Sequence, residues 1–294
     1  MRDVRVTILG TAQDGGVPQP GCARECCLRV RANDALRRHP VSLGIVGADG
    51  STHLVEASRT MGEQFEIWHS VDPVDGPLTS LSITHAHLGH VDGLGLFGKE
   101  AMGAKHLTLH CSESFAALIE NNPPWRELRK QEVISPNTWA SNKSFEPSPG
   151  CGFTINPIPV PHRDELSDNH ALLIEGGGCN LLFLPDHDSW SETLRGSTIR
   201  KWLTELNVDI ALLDGTFWDV DELPHRDLSE IPHPTVRESL EMLGKRKEGD
   251  PDIRFLHLNH TNPLCNPSSP EIAELASKGW GLASEGDSFT LERL

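Results

Sequence analysis

An αββα sandwich of the α/β class, two mixed sheets face to face with helices on both outer faces, is the architecture this sequence predicts. Strand-like apolar runs and helical-looking segments alternate along all 294 residues, with no closing repeat. Several apolar runs end in a residue able to bind metal, a placement expected where sheet strands present chemistry at their ends. No composition shift or low-complexity linker divides the chain, so residues 1–294 are expected to form a single domain.

A hydrophobic content of 37% is enough for a sizeable core, and a net charge of −16 argues against a nucleic-acid partner. A small-molecule substrate is expected, and an anionic one needs only one or two local cations. No run approaches the roughly 18 apolar residues that cross a bilayer. The first ten residues enter a strand with no signal-peptide core, so no membrane association and a cytoplasmic location are expected. Seven cysteines, an odd number, are expected to be reduced thiols, some of them metal-bound. The sequence sets no oligomeric state.

Taken in order, residues 4–9 alternate as a strand and end in a glycine-rich turn, 10–16. The spacing of a phosphate-binding loop is absent there, so the turn is expected to bring backbone close to a metal pocket. Cys22, Cys26 and Cys27 could hold a structural zinc, with His257 or Cys265 as the fourth ligand; the alternative is inert thiols at a helix start. Residues 42–46 and 53–56 predict a hairpin around Asp49-Gly50, and 61–68 a helix. A strand over 78–83 leads into three histidines, followed by a helix over 94–102 whose N-terminus would face the metal. Residues 107–109 predict a strand and 112–120 a helix capped by Ser112. The stretch 121–150 is read as an irregular surface crossover. Four apolar runs then lead to polar residues: 155–160 to His162, 181–185 to Asp186, 210–213 to Asp214, and 253–258 to His260. Helices are expected over 198–206, over 234–243 with Pro234 in its first turn, and from Ser269-Pro270 onward.

The densest signal is His85-Ala86-His87-Leu88-Gly89-His90. On an extended backbone His85 and His87 point the same way, and a third ring just past the turn can converge with them on a metal. This segment resembles the HxHxDH signature of the metallo-β-lactamase superfamily, with Gly89 where the family usually has Asp. Leu9 to Gly16, Val160-Pro161-His162-Arg163 and Leu258 to Pro263 are similar to the PQQ-biosynthesis protein B-like branch, so the resemblance spans nearly the whole chain.

The resemblance implies that His85, His87 and His162 hold a first metal. Asp186 would bridge to a second, held also by His90 and His260. Because Gly89 offers no carboxylate, one tightly bound Zn2+ and a weaker second are expected, with Fe2+ or Mn2+ as other occupants. Asp92 and Asp188 are near enough in sequence to compensate, though Asp92 is expected to cap the following helix. Asp214-Gly215-Thr216-Phe217 and His233 are similar to the acid and histidine of superfamily phosphodiesterases, which implies that His233, oriented by Asp214, protonates the leaving oxygen. Related phosphodiesterases also carry an N-terminal cysteine cluster, with different spacing. Arg163 is the expected substrate anchor, with a structural salt bridge as the alternative, and Asp168 and Asn262 are the expected supports of ligand imidazoles.

A metal-dependent hydrolase acting on an ester or phosphodiester-type bond is the leading expectation. An iron-dependent oxidative enzyme of PQQ-type cofactor biosynthesis is the alternative, and a non-catalytic metal-binding protein the third reading. Five candidate metal-binding histidines favour hydrolysis.

Overall fold

The computed structural model describes residues 3–72, 74, 76–223 and 231–292. In its first half lie strands β1 (Arg5–Gly10), β2 (Ser42–Val46), β3 (Thr52–Val55), β4 (Ser80–Ser82), β5 (Leu107–Cys111) and β6 (Ile134–Thr138). The second half adds β7 (Phe153–Val160), β8 (Asn169–Gly176), β9 (Cys179–Leu184), β10 (Ile210–Asp214), β11 (Asp252–Leu256), β12 (Gly281–Leu282) and β13 (Ser288–Thr290). One sheet runs β13-β1-β2-β3-β4-β5-β6 and the other β12-β11-β10-β9-β8-β7. Both are mixed, and together with the helices they make the predicted αββα sandwich.

Side-chain alternation explains the layering. In β9, Leu181 and Phe183 face the first sheet and pack with Val6, Leu43 and Ile45, while Leu182 and Leu184 face outward onto helices. In β8, Leu172 and Ile174 turn inward, and Ala171 and Leu173 outward. The outer face of the first sheet is covered in the same way, with Leu81, Leu109 and Ile134 against Trp68, Phe115 and Ile119. Strands buried on both faces read as continuous apolar runs, as Ala171 to Ile174 of β8 and Leu181 to Leu184 of β9 do.

Direction matters most for function. Strands β9, β10 and β11 are mutually parallel, with Leu213 opposite both Leu184 and Phe255. Because β8 is antiparallel to both β7 and β9, β7 points the same way as those three. Four strands therefore deliver their C-terminal ends to one edge, which is also where β4 leads into Thr84 and His85.

Some local expectations change. Residues 94–102 form no helix: a single turn, Leu88–Val91, is followed by a 3-10 stretch, Asp92–Phe97. Gly93 donates its N–H to Ala57 O (2.8 Å), and the chain is bent back instead of continuing as a helix. Asp92 makes no side-chain cap and pairs with Arg59 at 2.5 Å. The stretch 121–150 holds a helix, Pro123–Lys130, capped by Asn122, and the strand β6. Pro234 precedes its helix, which runs Val236–Leu243 from a Thr235 cap. Among the described residues no helix is long and apolar enough to cross a membrane.

Candidate metal centre and active site

Four buried side chains meet at the strand edge. His85 Nε2 and His162 Nε2 each lie 3.0 Å from His87 Nδ1. The Asp186 carboxylate lies 3.4 Å from His85 Nε2 and 3.2 Å from His162 Nε2. Donors roughly 2.0–2.1 Å from a tetrahedral zinc ion stand about 3.3 Å apart, so this spacing fits an ion at their centre.

The remaining ring nitrogens fix the tautomers. His162 Nδ1 donates to Asp188 Oδ1 at 2.8 Å, and His87 Nε2 to Glu165 Oε1 at 3.2 Å. Thr84 Oγ1 donates to Glu56 Oε1 at 2.5 Å and accepts from His85 Nδ1 at 2.9 Å. An acceptor on the far nitrogen leaves each near nitrogen with a free lone pair, as a metal ligand requires.

A second group adjoins the first. His90 Nε2 lies 3.6 Å from Asp14 Oδ1 and 3.7 Å from Asp186 Oδ2. His257 Nε2 lies 3.9 Å from Asp14 Oδ1 and 3.8 Å from Asp186 Oδ2. Asp186 thus stands between the two groups. Thr216 repeats the role of Thr84, donating to Asp214 Oδ1 and accepting from His257 Nδ1, both at 2.7 Å.

Charge follows from burial. Desolvation alone would protonate Asp186, but His162, His233 and His257 outweigh it and hold the carboxyl well below the usual carboxylate range. Burial pushes the His87 pKa down to about 4 and that of His85 well below normal, so both are neutral ligands at neutral pH. For His162 and His90 burial is overcome, by Asp186 in the first case and Glu56 in the second, raising them to about 10 and about 9. A bound dication would displace those protons.

His233 sits beside this centre. Its Nδ1 is 2.8 Å from Asp214 Oδ2 and 3.3 Å from Asp186 Oδ1. Burial works against its charged form, yet Asp214 and Asp186 together raise its pKa above the ordinary value. With Nδ1 bound to Asp214, Nε2 is the nitrogen left for the cleft that His233 lines. That cleft, about 640 Å³, is also lined by Arg24, Arg59 and Arg163. Arg163 lies 3.5 Å from Glu165, and its buried Nε has no hydrogen-bond partner.

The placement of His260 corrects the sequence reading. It is not beside His90; its Nδ1 lies 3.3 Å from Cys27 Sγ and 3.5 Å from Cys26 Sγ, and with Cys22 these form a compact four-residue group. His257 takes the place expected for His260. Strand β11 ends at Leu256, two residues early, and His257 adopts a left-handed backbone (φ 62°) that turns its ring into the centre. Cys265 is buried and is not part of this group, its Sγ donating to Asn259 O. Asp188 supports His162. Asp168 bonds Ser114, and Asn262 Nδ2 donates to Gly215 O at 2.8 Å, so neither touches a ligand imidazole. His257, offered by the sequence as a fourth ligand of the cysteine group, lies instead with Asp14 and His90, and Asp14, Glu56 and Glu165 are residues the sequence reading missed.

Comparison with known proteins bears on family and fold. Residues 52–250 match the family described as "Beta-lactamase superfamily domain". The chain belongs to this superfamily. Among superfamily relatives, Coenzyme PQQ synthesis protein B of Methylobacterium radiotolerans is 28% identical, covering 98% of this chain and 100% of its own. The Xanthomonas axonopodis pv. citri protein of the same name is 25% identical, covering 96% and 98%. Among superfamily structures, Zn2+-bound PqqB from Methylobacterium extorquens superposes with a TM-score of 0.79 at 24% identity, covering 98% and 100%. A diphosphatase of the PhnP family gives 0.65 at 19% identity, covering 98% and 97%.

Proposed function

We propose that the protein is a metal-dependent hydrolase that opens an ester or phosphodiester-type bond of a small anionic molecule. The observation that carries this reading is the convergence of His85, His87, His162 and Asp186 next to a histidine backed by a buried acid. When bound, a divalent metal lowers the pKa of coordinated water and polarises the scissile group. The chain's own residues do the rest. Glu56, Asp188 and Glu165 hold the imidazoles in place. Asp214 keeps the His233 proton on Nδ1 and favours a charged ring, whose Nε2 proton is then available to a departing oxygen. Arg24, Arg59 and Arg163 give the cleft a cationic wall despite the acidic chain, and its volume suits a small molecule. The thiols of Cys22, Cys26 and Cys27 with His260 have the donor set of a structural zinc site.

Similarity to Coenzyme PQQ synthesis protein B over nearly the full chain favours a second reading, an oxidative step in PQQ-type cofactor biosynthesis at an iron centre; histidine and carboxylate donors suit Fe2+ as well. Protein purified without added metal separates the two. Zinc content with turnover of bis(p-nitrophenyl) phosphate is the expected outcome. Iron content with oxygen consumption and no phosphodiester turnover would replace hydrolysis by oxidation.

A further inference from the structure

We infer that Asp14 occupies, in space, the position of the carboxylate that residue 89 lacks, and completes a second metal-binding position with His90, His257 and Asp186. The inference rests on the metal-dependent reading above and assigns a ligand outside the histidine motif.

The decisive observation is steric. A Cβ added to Gly89 would stand 2.3 Å from Asp14 Oδ1, 2.5 Å from its Cγ and 2.4 Å from its Cα. No side chain fits at 89 while Asp14 is where it is, because backbone as well as carboxylate fills the volume. The two positions exclude one another: a carboxylate enters this space from the motif or from the first turn, never from both. Here it enters from the turn.

That turn is held, not draped. Gln13 N–H donates to Leu258 O at 3.0 Å, and Gly16 N–H to Gln13 O at 2.8 Å. Ala12 bridges both Pro40 and Leu258, tying the turn to the segment before β2 and to the exit of β11. The exit of β11 also carries His257, so Asp14 and His257 are positioned by one set of backbone bonds.

The groups facing Asp14 want a ligand. His90 is fully buried; its Nδ1 pairs with Glu56 Oε1 at 3.4 Å, while its Nε2, which faces Asp14, has no hydrogen-bond partner, and neither has His257 Nε2. A buried ring nitrogen without a partner is costly, and a bound cation would relieve it. With Asp14 counted, the position has two imidazoles, one carboxylate of its own and a share of Asp186. It is therefore not short of donors, contrary to the weak second site expected from Gly89 alone.

Crystals of Zn2+-loaded protein give the test, since anomalous scattering reads each position separately, and equilibrium dialysis against graded Zn2+ gives the affinities. Wild type is expected to show Zn2+ at the His85/His87/His162 position and at the His90/His257 position. Asp14→Asn, which keeps the size of the side chain, should weaken the second at least about 100-fold and leave the first occupied. Gly89→Asp alone should disturb the fold, whereas the double exchange Asp14→Gly/Gly89→Asp should regain the second ion. Retention of that ion by Asp14→Asn, its absence from wild type, or failure of the folded double variant to regain it would each overturn the inference. Wild type with no ion at His85/His87/His162 would remove the hydrolase reading itself, a result distinct from losing Asp14 as a ligand.

Discussion

A buried imidazole between two carboxylates is the residue on which turnover should depend most. His233 reaches Asp214 and Asp186 through the same nitrogen, so its charged form is favoured in spite of burial. His233→Ala is expected to cut kcat by about 10²–10⁴-fold while metal content, measured by elemental analysis, stays at the wild-type value. Parallel loss of both would make His233 a ligand and not a proton donor. Among single residues, those legible in the sequence were the ones whose partners lie nearby or whose strand ends in plain view. His85, His87 and His90 declare themselves within six positions. His162, Asp186 and Asp214 each follow an apolar run. His257 was assigned to the cysteine group because its left-handed backbone ends a strand that the apolar pattern continues through Leu258. Asp14 was hidden because its meaning depends on a glycine far along the chain.

At the scale of elements, the pieces that position the centre are turns pinned by distant loops. The loop between β12 and β13 supplies Glu285, whose carboxylate accepts the His39 backbone N–H at 2.6 Å; His39 O in turn accepts from Thr11 and Ala12, at the base of the turn bearing Asp14. Burial pushes the Glu285 pKa up from 4.5 to about 7 against the opposing pull of the His39 N–H and Arg38. A carboxyl with a raised folded pKa binds its proton more tightly in the fold. Its contribution is complete below pH 4.5 and is lost as pH rises through about 7. Glu285→Gln should therefore flatten the fall in stability over that window and leave the variant up to about 3 kcal/mol more stable at pH 8. Urea midpoints measured from pH 4 to 8 check this; identical profiles would refute it. Elements were legible where periodicity was clean, as in the 42–56 hairpin and the Ser112-capped helix. The stretch from 121, read as irregular, opens a helix at Pro123-Pro124, since proline costs nothing where no intrahelical N–H is needed. The glycines after Val91 had the opposite effect, ending a helix that the apolar pattern prolonged.

Over the whole molecule, the chain returns to where it began: β13 pairs with β1, and the middle core draws side chains from both sheets. We propose that residues 1–294 form one cooperative domain, so far-UV circular dichroism and tryptophan fluorescence should report coincident unfolding; two separated transitions would divide it. His85, His87 and His90 descend from the first sheet, whereas His162, Asp186 and His257 come from the second. A cation gripped from both sides is a rivet through the seam of the sandwich. Resistance to denaturation should then climb with free metal, by about 2.7 kcal/mol at a hundredfold excess over the dissociation constant, and chelators should loosen the two halves together.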